Sequence, residues 1–386
     1  MLTMIMGIKF QANPTKQQAE ILSSWMGAAK TVWNAKCQED FYLRTFARKY
    51  LPIGTYPEIN QQYSQYKNDI LTPWLKKCPS QILRNSVSNW YDSYQAFFKQ
   101  EDRGRPKLNG KGEGLSIHLT RELFKIKEID GKLRLFVGAL RNNIGYLDVI
   151  WHNKEWLKYS HPSSIRIKKL AFGKFTVSFC YGEETTNENE EQRNWLKYLR
   201  EQQNENELDK IVIGIDRGVN VEVATDKECL PFSENSKCGL KKHQKKIIRL
   251  QKKLAKQKNK KSKRRQKSKM RISKIHYKIA NIRENECHHI TKKLVTSEHK
   301  VFILEDLKVK NQTASAKGTL ANPGKNVSAK SGLNRSILNV SWSRIENQIK
   351  YKAIKFGKVV FKINPAYTSQ ECANCGHTHP HNRRGI

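Results

Sequence analysis

Two apolar runs, each ending in a carboxylate, constrain this chain most. IVIGI leads into Asp216, and VFILE ends at Glu305. Both read as buried strands, because a short continuous apolar run bounded by turn and charged residues suits a strand covered on both faces. VEVATD, after the RGVN turn, reads as the hairpin partner of the first. KVVFKINP reads as a further strand, and LNRSILNVSWSRIENQIKYKAIKFG between them as one long helix closed by Gly357. Strand, hairpin, helices, strand, helix, strand describes an α/β domain with a mixed central sheet, and we place it at 209–366.

The stretch between the two carboxylates holds most of the unusual charge. The chain has 72 Lys plus Arg against 35 Asp plus Glu, a net of +37. Such an excess repels itself unless a polyanion neutralises it, which points to nucleic acid. Residues 241 to 275 alone carry 18 Lys plus Arg. Ile247, Leu250 and Leu254 form one helical stripe there, and Ile272, Ile275, Ile279 and Ile282 another. These stripes argue against a disordered basic tail. They predict two antiparallel helices over 240–295, with a tip whose phosphate-binding candidates are Lys258, Lys260, Lys261, Lys263, Arg264, Arg265 and Lys267.

Upstream the pattern differs. MIMGIKFQA reads as an opening strand. Ile21, Trp25, Ala28, Ala29 and Val32, then Ile82, Leu83, Val87, Trp90, Tyr94 and Phe97, recur at helical spacing and predict a helical bundle over 15–99. GLSIHLT, KLRLFVGA, SSIRIKKLAF and KFTVSFCYG alternate in the manner of antiparallel strands. Together with the opening strand they predict a small barrel or sandwich over 1–14 plus 100–185. The polar, acidic stretch 186–208 reads as a linker. The chain is therefore α/β and multi-domain. It has no apolar run of transmembrane length and no basic leader, so a membrane span or signal peptide is not expected.

Carboxylates at strand ends can converge on one sheet edge and hold divalent ions that act on a phosphodiester. Asp216 and Glu305 are the candidates, with Mg²⁺ (or Mn²⁺) as the fitting hard cation. Asp306, next along the chain, points to the opposite face. Six cysteines are scattered singly, which excludes a secreted disulfide framework. Cys372 and Cys375 form a C-x-x-C-G pair of the kind that supplies half of a zinc site.

The order IGIDRGV, basic hairpin, VFILEDLKVKN, then SWSRIENQIKYKAIKFGKVVFKINPAYTSQECANCG resembles the TnpB family, RNA-guided DNA endonucleases of bacterial insertion sequences, similar to compact type V CRISPR effectors. PTKQQAEIL, PSQILRNSVSNWYDSYQAFF, GRPKLNG and GKFTVSFCYG fit it as well. The resemblance implies an RNase H-like (RuvC) nuclease domain. A wedge β-barrel with an inserted helical recognition lobe would precede it, and a zinc ribbon would begin at 367–386. It implies a guide RNA and a double-stranded DNA target as partners and a bacterial cytoplasmic, nucleoid-associated setting. Asp216 and Glu305 match the family's first two catalytic carboxylates, and Cys372 and Cys375 the first half of its ribbon. The third carboxylate and the second C-x-x-C are not in this sequence. The expectation is therefore impaired or absent cleavage and a doubtful Zn²⁺ site, with His377, His379 and His381 as substitute ligands too close in sequence to be favoured. Two other readings stand beside it. One is a nuclease-inactive, RNA-guided DNA-binding repressor, and the other an RNA-independent DNA-binding accessory of transposition.

Overall fold

The computed structural model describes residues 2–382 other than 56–57, 102, 111, 113–114, 160, 186–187, 202–203, 320, 369 and 373–374. The chain divides into two compact units, Thr3–Glu183 and Glu184–Ile386, the second counted with the first two residues of the chain.

In the unit Thr3–Glu183, the strand β1 (Leu2–Ala12) leads into the helix α1 (Lys16–Tyr42). Thr15 starts α1 with a reciprocal cap. Its hydroxyl accepts from the Gln18 backbone N–H, and the Gln18 side chain accepts from the Thr15 N–H. A π-helical turn (Leu43–Ala47) and the short helix α2 (Arg48–Tyr50) extend it, and α3 (Ser80–Lys99) packs alongside. Ser86 Oγ donates to the Ala29 carbonyl at 2.7 Å and Trp90 Nε1 reaches Cys37 Sγ at 3.2 Å, so the two long helices share polar as well as apolar contacts. The expected inward residues Trp25, Ala28, Ala29, Val32, Ile82, Leu83, Val87 and Trp90 are buried, whereas Ile21, Tyr94 and Phe97 are half-buried.

Among the described residues this unit has seven more strands: β2 (Ser116–Thr120), β3 (Phe124–Ile129), β4 (Lys132–Gly138), β5 (Asn143–Leu147), β6 (Val149–Ile150), β7 (Ser164–Lys169) and β8 (Phe175–Thr185). They form a five-stranded sheet in the order β2-β7-β8-β1-β6 and a three-stranded sheet β3-β4-β5. The opening strand thus lies inside the larger sheet, as its sequence suggested. Helices and sheets share one core, with Phe10, Trp25, Ile82, Leu119 and Trp156 in the same buried cluster. The bundle expected over 15–99 is therefore not a separate body but a layer on the sheets.

The unit Glu184–Ile386 begins with α4 (Glu188–Glu201) and α5 (Glu205–Ile211) where the sequence suggested a polar, acidic linker. The stretch is polar, but Glu, Gln, Leu, Lys and Arg are good helix formers, and Gln192 Nε2 donates to the Val360 carbonyl at 3.2 Å, which seats α4 on the sheet. The sheet contains β9 (Val212–Ile215), β12 (Val301–Glu305) and β13 (Val359–Ile363) in the order β13-β12-β9, all parallel. The strands β10 (Val223–Ala224) and β11 (Cys229–Leu230) form their own small antiparallel pair. Among the described residues, the antiparallel bridge Asp216–Ala224, just past the end of β9, is what links that pair to the parallel sheet, so the mixed character expected of the sheet is confined to this corner.

Two helices cross from β11 to β12: α6 (Glu234–Lys256) and α7 (Lys263–Val295). Of the predicted stripes, Ile247, Ile275 and Ile279 are buried in the second core and Leu250 and Ile282 pack against it, whereas Leu254 and Ile272 are half-buried. After β12 come α8 (Val309–Gln312), α9 (Val327–Val340) and α10 (Trp342–Lys355). The single long helix expected before Gly357 is broken: Ser341 takes the left-handed conformation at φ 65° and ψ 41°, ending α9 and redirecting α10. Local propensity does not reveal this, because Ser is tolerated on both sides of such a break. Gly357, at φ 62°, closes α10 as expected.

Candidate active site and basic arm

The parallel register sets Val301 beside Val212, Phe302 beside Ile213, Ile303 beside Gly214 and Leu304 beside Ile215. The ladder ends at that pair, and Glu305 and Asp216 are the next residues of the two neighbouring strands at their carboxyl ends. Adjacent strands lie about 4.8 Å apart and paired residues face the same way, so the sequence-predicted carboxylates occupy one sheet edge. Asp216 is exposed and Glu305 half-buried. Glu305 Oε1 accepts from Thr368 Oγ1 at 2.5 Å, which ties the chain after β13 to the site.

The site is braced from behind by groups that sequence reasoning missed. Arg217, whose side chain is fully buried, donates to the Glu305 backbone carbonyl and pairs with Glu346 at 2.9 Å. Trp342 Nε1 donates to the Gly218 carbonyl at 2.9 Å. Trp342 and Glu346 lie four residues apart on one face of α10, a spacing that puts both over the turn following Asp216. Glu346 also pairs with Lys350 at 3.0 Å and Lys362 at 2.8 Å. Burial would raise the Glu346 carboxyl, but the hydrogen bonds from Lys362, Lys350 and Arg217 hold it down at about 2. Asp306 pairs with Lys362 at 2.6 Å. Its carboxyl is lowered by that hydrogen bond, and it engages the opposite side of this brace from Glu305.

Oxygen donors from two carboxylates suit Mg²⁺ or Mn²⁺, which commonly keep water and substrate phosphate in the remaining positions. The ribbon segment differs. The Cys372 N–H donates to the His377 carbonyl at 3.0 Å, and Gly376 N–H to the Cys372 carbonyl at 2.8 Å. The rings of His377, His379 and His381 stack on one another at 6.1 and 4.9 Å. Among the described residues no three His, Cys, Asp or Glu side chains gather in a metal-holding group.

Of the seven basic-arm candidates, Lys258, Lys260, Lys261, Lys263, Arg264 and Lys267 are exposed around the turn between α6 and α7. Arg265 is half-buried and differs. Its Nη1 donates to the Leu254 carbonyl at 2.7 Å and also to the Gln257 carbonyl, so it caps the end of α6 and closes the hairpin. At the base of the arm, Glu286 accepts from the Ser233 N–H and from the hydroxyls of Ser233 and Ser236. Burial opposes its ionisation, yet these bonds keep its carboxyl below the ordinary range.

Comparisons with known proteins agree with this architecture. Residues 188–316 match the family model described as "Probable transposase", residues 342–385 the "Cas12f1-like, TNB domain" and residues 1–39 a "Helix-turn-helix domain". In this chain that last span is a strand followed by one helix. A solved Cas12f1-sgRNA-target DNA complex shares the fold, with a TM-score of 0.54 at 12% identity over 95% of this chain and 77% of that one. A structure of the mini-RNA-guided endonuclease CRISPR-Cas_phi3 aligns over 100% and 89% at 10% identity, with a TM-score of 0.41 that bears no weight. The family models mark a transposase-type segment and a TNB-type segment in this chain, and the likeness to the Cas12f1 complex is one of fold. The "Putative RNA-guided DNA endonuclease InsQ" of Escherichia coli (strain K12) is 32% identical over 98% of this chain and 85% of its own length. The chain belongs to the TnpB family.

Proposed function

We propose that this protein is an RNA-guided DNA endonuclease that uses Asp216 and Glu305 on a RuvC-like sheet to hold Mg²⁺ or Mn²⁺. A guide RNA and a double-stranded DNA target are its partners. The observation that supports this reading is the parallel register that pairs Leu304 with Ile215, the residues that immediately precede the two strand-end carboxylates. A divalent ion bound there supplies the charge that activates water and stabilises the leaving oxygen of a phosphodiester. The protein's own part is positional. Glu305 is oriented by Thr368, and the backbone at both carboxylates is fixed by Arg217, Glu346 and Trp342. The exposed lysines of the α6–α7 arm neutralise RNA phosphates, and the guide supplies sequence specificity by pairing. The name of the E. coli relative and the nucleic acids in the Cas12f1 complex support the same partners.

The test uses protein expressed with its flanking transposon DNA. RNA that co-purifies is sequenced and matched duplexes are designed from it. Binding of a matched duplex should require that RNA and be lost after RNase. Mn²⁺ binding, read by electron paramagnetic resonance, should weaken strongly in both Asp216→Ala and Glu305→Ala. Duplex binding that survives RNase, or Mn²⁺ binding unchanged in both variants, overturns the reading.

A further inference from the structure

The helical layer of the unit Thr3–Glu183 carries a feature that the nuclease reading leaves unused. Tyr42, Phe46 and Tyr50 follow one another at intervals of four through the end of α1, the π-helical turn and α2. Their rings form a continuous ladder, Tyr42 to Phe46 at 5.4 Å and Phe46 to Tyr50 at 5.1 Å between centroids. They are 51%, 46% and 63% exposed. On the other side of the same turn, Leu43 and Ala47 are buried and anchor it. The rings are therefore not core residues left partly uncovered. They stand on the outward face of an anchored segment. A π-helical turn is rare and concentrates at functional sites. Its wider turn also helps keep residues four apart on one stripe.

The charge of this segment favours one occupant. Residues 41 to 50, FYLRTFARKY, hold Arg44, Arg48 and Lys49 and no acidic residue. Lys49 Nζ lies 5.4 Å from the centroid of the Tyr50 ring. The nearby Asp40 is buried and already paired with Arg105 at 2.7 Å and Arg44 at 3.5 Å. A second copy of the same face would bring like charges together. An unpaired nucleic-acid strand instead offers base faces for the rings and phosphates for the cations, and stacking of this kind tolerates any base.

We propose that Tyr42, Phe46 and Tyr50, with Arg48 and Lys49, form a stacking platform for an unpaired nucleic-acid strand. This rests on the proposed function as a guided nucleic-acid enzyme, and it adds a second contact remote in sequence from the basic arm.

The test compares the full chain with Tyr42→Leu/Phe46→Leu/Tyr50→Leu, which keeps apolar bulk but removes the ring faces, and with Tyr42→Phe/Tyr50→Phe, which keeps them. The probes are 20-nucleotide single-stranded DNA and RNA carrying 2-aminopurine. Binding to the leucine variant should weaken by about tenfold or more, with the salt slope nearly unchanged, because stacking rather than phosphate contact is lost. The phenylalanine variant should bind as the parent does. The DNA and RNA arms identify the strand: the probe whose binding the leucine variant weakens is the one that stacks on the platform. If the parent binds neither RNA nor single strands, the functional reading itself fails. If it binds and the leucine variant binds equally on both probes, the platform proposal fails alone. A parent that sediments as a dimer, and is made monomeric by Phe46→Glu with strand affinity intact, would also overturn it and assign the ladder to self-association.

Discussion

Arg217 donates from Nη2 to the backbone carbonyl of Glu305. The residue that follows one strand-end carboxylate thus fastens the strand that ends in the other. Glu346 holds the far side of the same guanidinium at 2.9 Å, and Lys350 and Lys362 hold Glu346. The spacing of β9 and β12 at the site is set by this ionic brace as well as by the sheet.

Breaking the brace on one side should be costly. Glu346→Gln leaves the buried Arg217 without its counter-charge, and removal of one partner of such a pair costs about 3–5 kcal/mol. Urea denaturation should show a loss of that order. The double variant Arg217→Met/Glu346→Leu should recover part of it, since neither charge then stays buried and unpaired. A loss below about 1 kcal/mol in the single variant would show that the pair is not coupled to the fold.

The same brace predicts an acid limit. The Glu346 carboxyl is held at about 2 in the fold against 4.5 for an unperturbed carboxylate. A depressed carboxylate contributes stability in full above its unfolded value, and that contribution is lost as pH falls from about 4.5 through about 2. The shift corresponds to stabilisation on the order of 3 kcal/mol. Stability measured between pH 6 and pH 2 should fall steeply in this window for the parent and less steeply for Glu346→Gln. Parallel curves would assign the acid sensitivity to other groups.

The strands that carry the two carboxylates were legible because each is a short apolar run with an acid at its end, whereas their register came only with the structure. The arm was legible for a related reason: Ile275 and Ile279 keep helical spacing through a dense run of lysines. The brace was not legible. Arg217 and Glu346 are 129 positions apart, and nothing local marks either as buried. The left-handed Ser341 was hidden for the same reason, since the contact that fixes the new helix direction, Trp342 to Gly218, is long-range. The helices α4 and α5 were not anticipated, because the polar, acidic stretch was read only as a linker. In the other unit, β3 went unseen because FKIKEI places three charged residues on a short strand.

Gly218 offers a test of how tightly the turn after Asp216 is packed. A Cβ there would lie 2.6 Å from the Val221 carbonyl oxygen, a backbone atom that cannot swing aside. The Gly218 carbonyl also holds Trp342. Gly218→Ala should therefore cost about 1–3 kcal/mol and weaken Mn²⁺ binding by displacing Asp216. Gly214→Ala, where a Cβ meets nothing within 4 Å, is the control and should leave both nearly unchanged. Equal behaviour of the two variants would mean that the turn yields easily.

Last, the arm separates charge that binds from charge that builds. Lys258, Lys260, Lys261 and Lys263 are exposed at its tip, whereas Arg265 spends its guanidinium on the Leu254 and Gln257 carbonyls. Replacing the four lysines by Gln should leave thermal stability nearly unchanged and flatten the plot of log affinity for RNA against log salt. The slope should fall by about 0.7–0.9 for each phosphate contact removed. Arg265→Gln should do the reverse. It removes one charge but also the cap that closes the hairpin, so protease cleavage between residues 256 and 263 should rise sharply while the salt slope changes by about one contact at most. If the lysine variant keeps the parent's slope, the tip does not meet phosphate. If Arg265→Gln resists protease as the parent does, the turn is held by the packing of α6 on α7 rather than by this guanidinium.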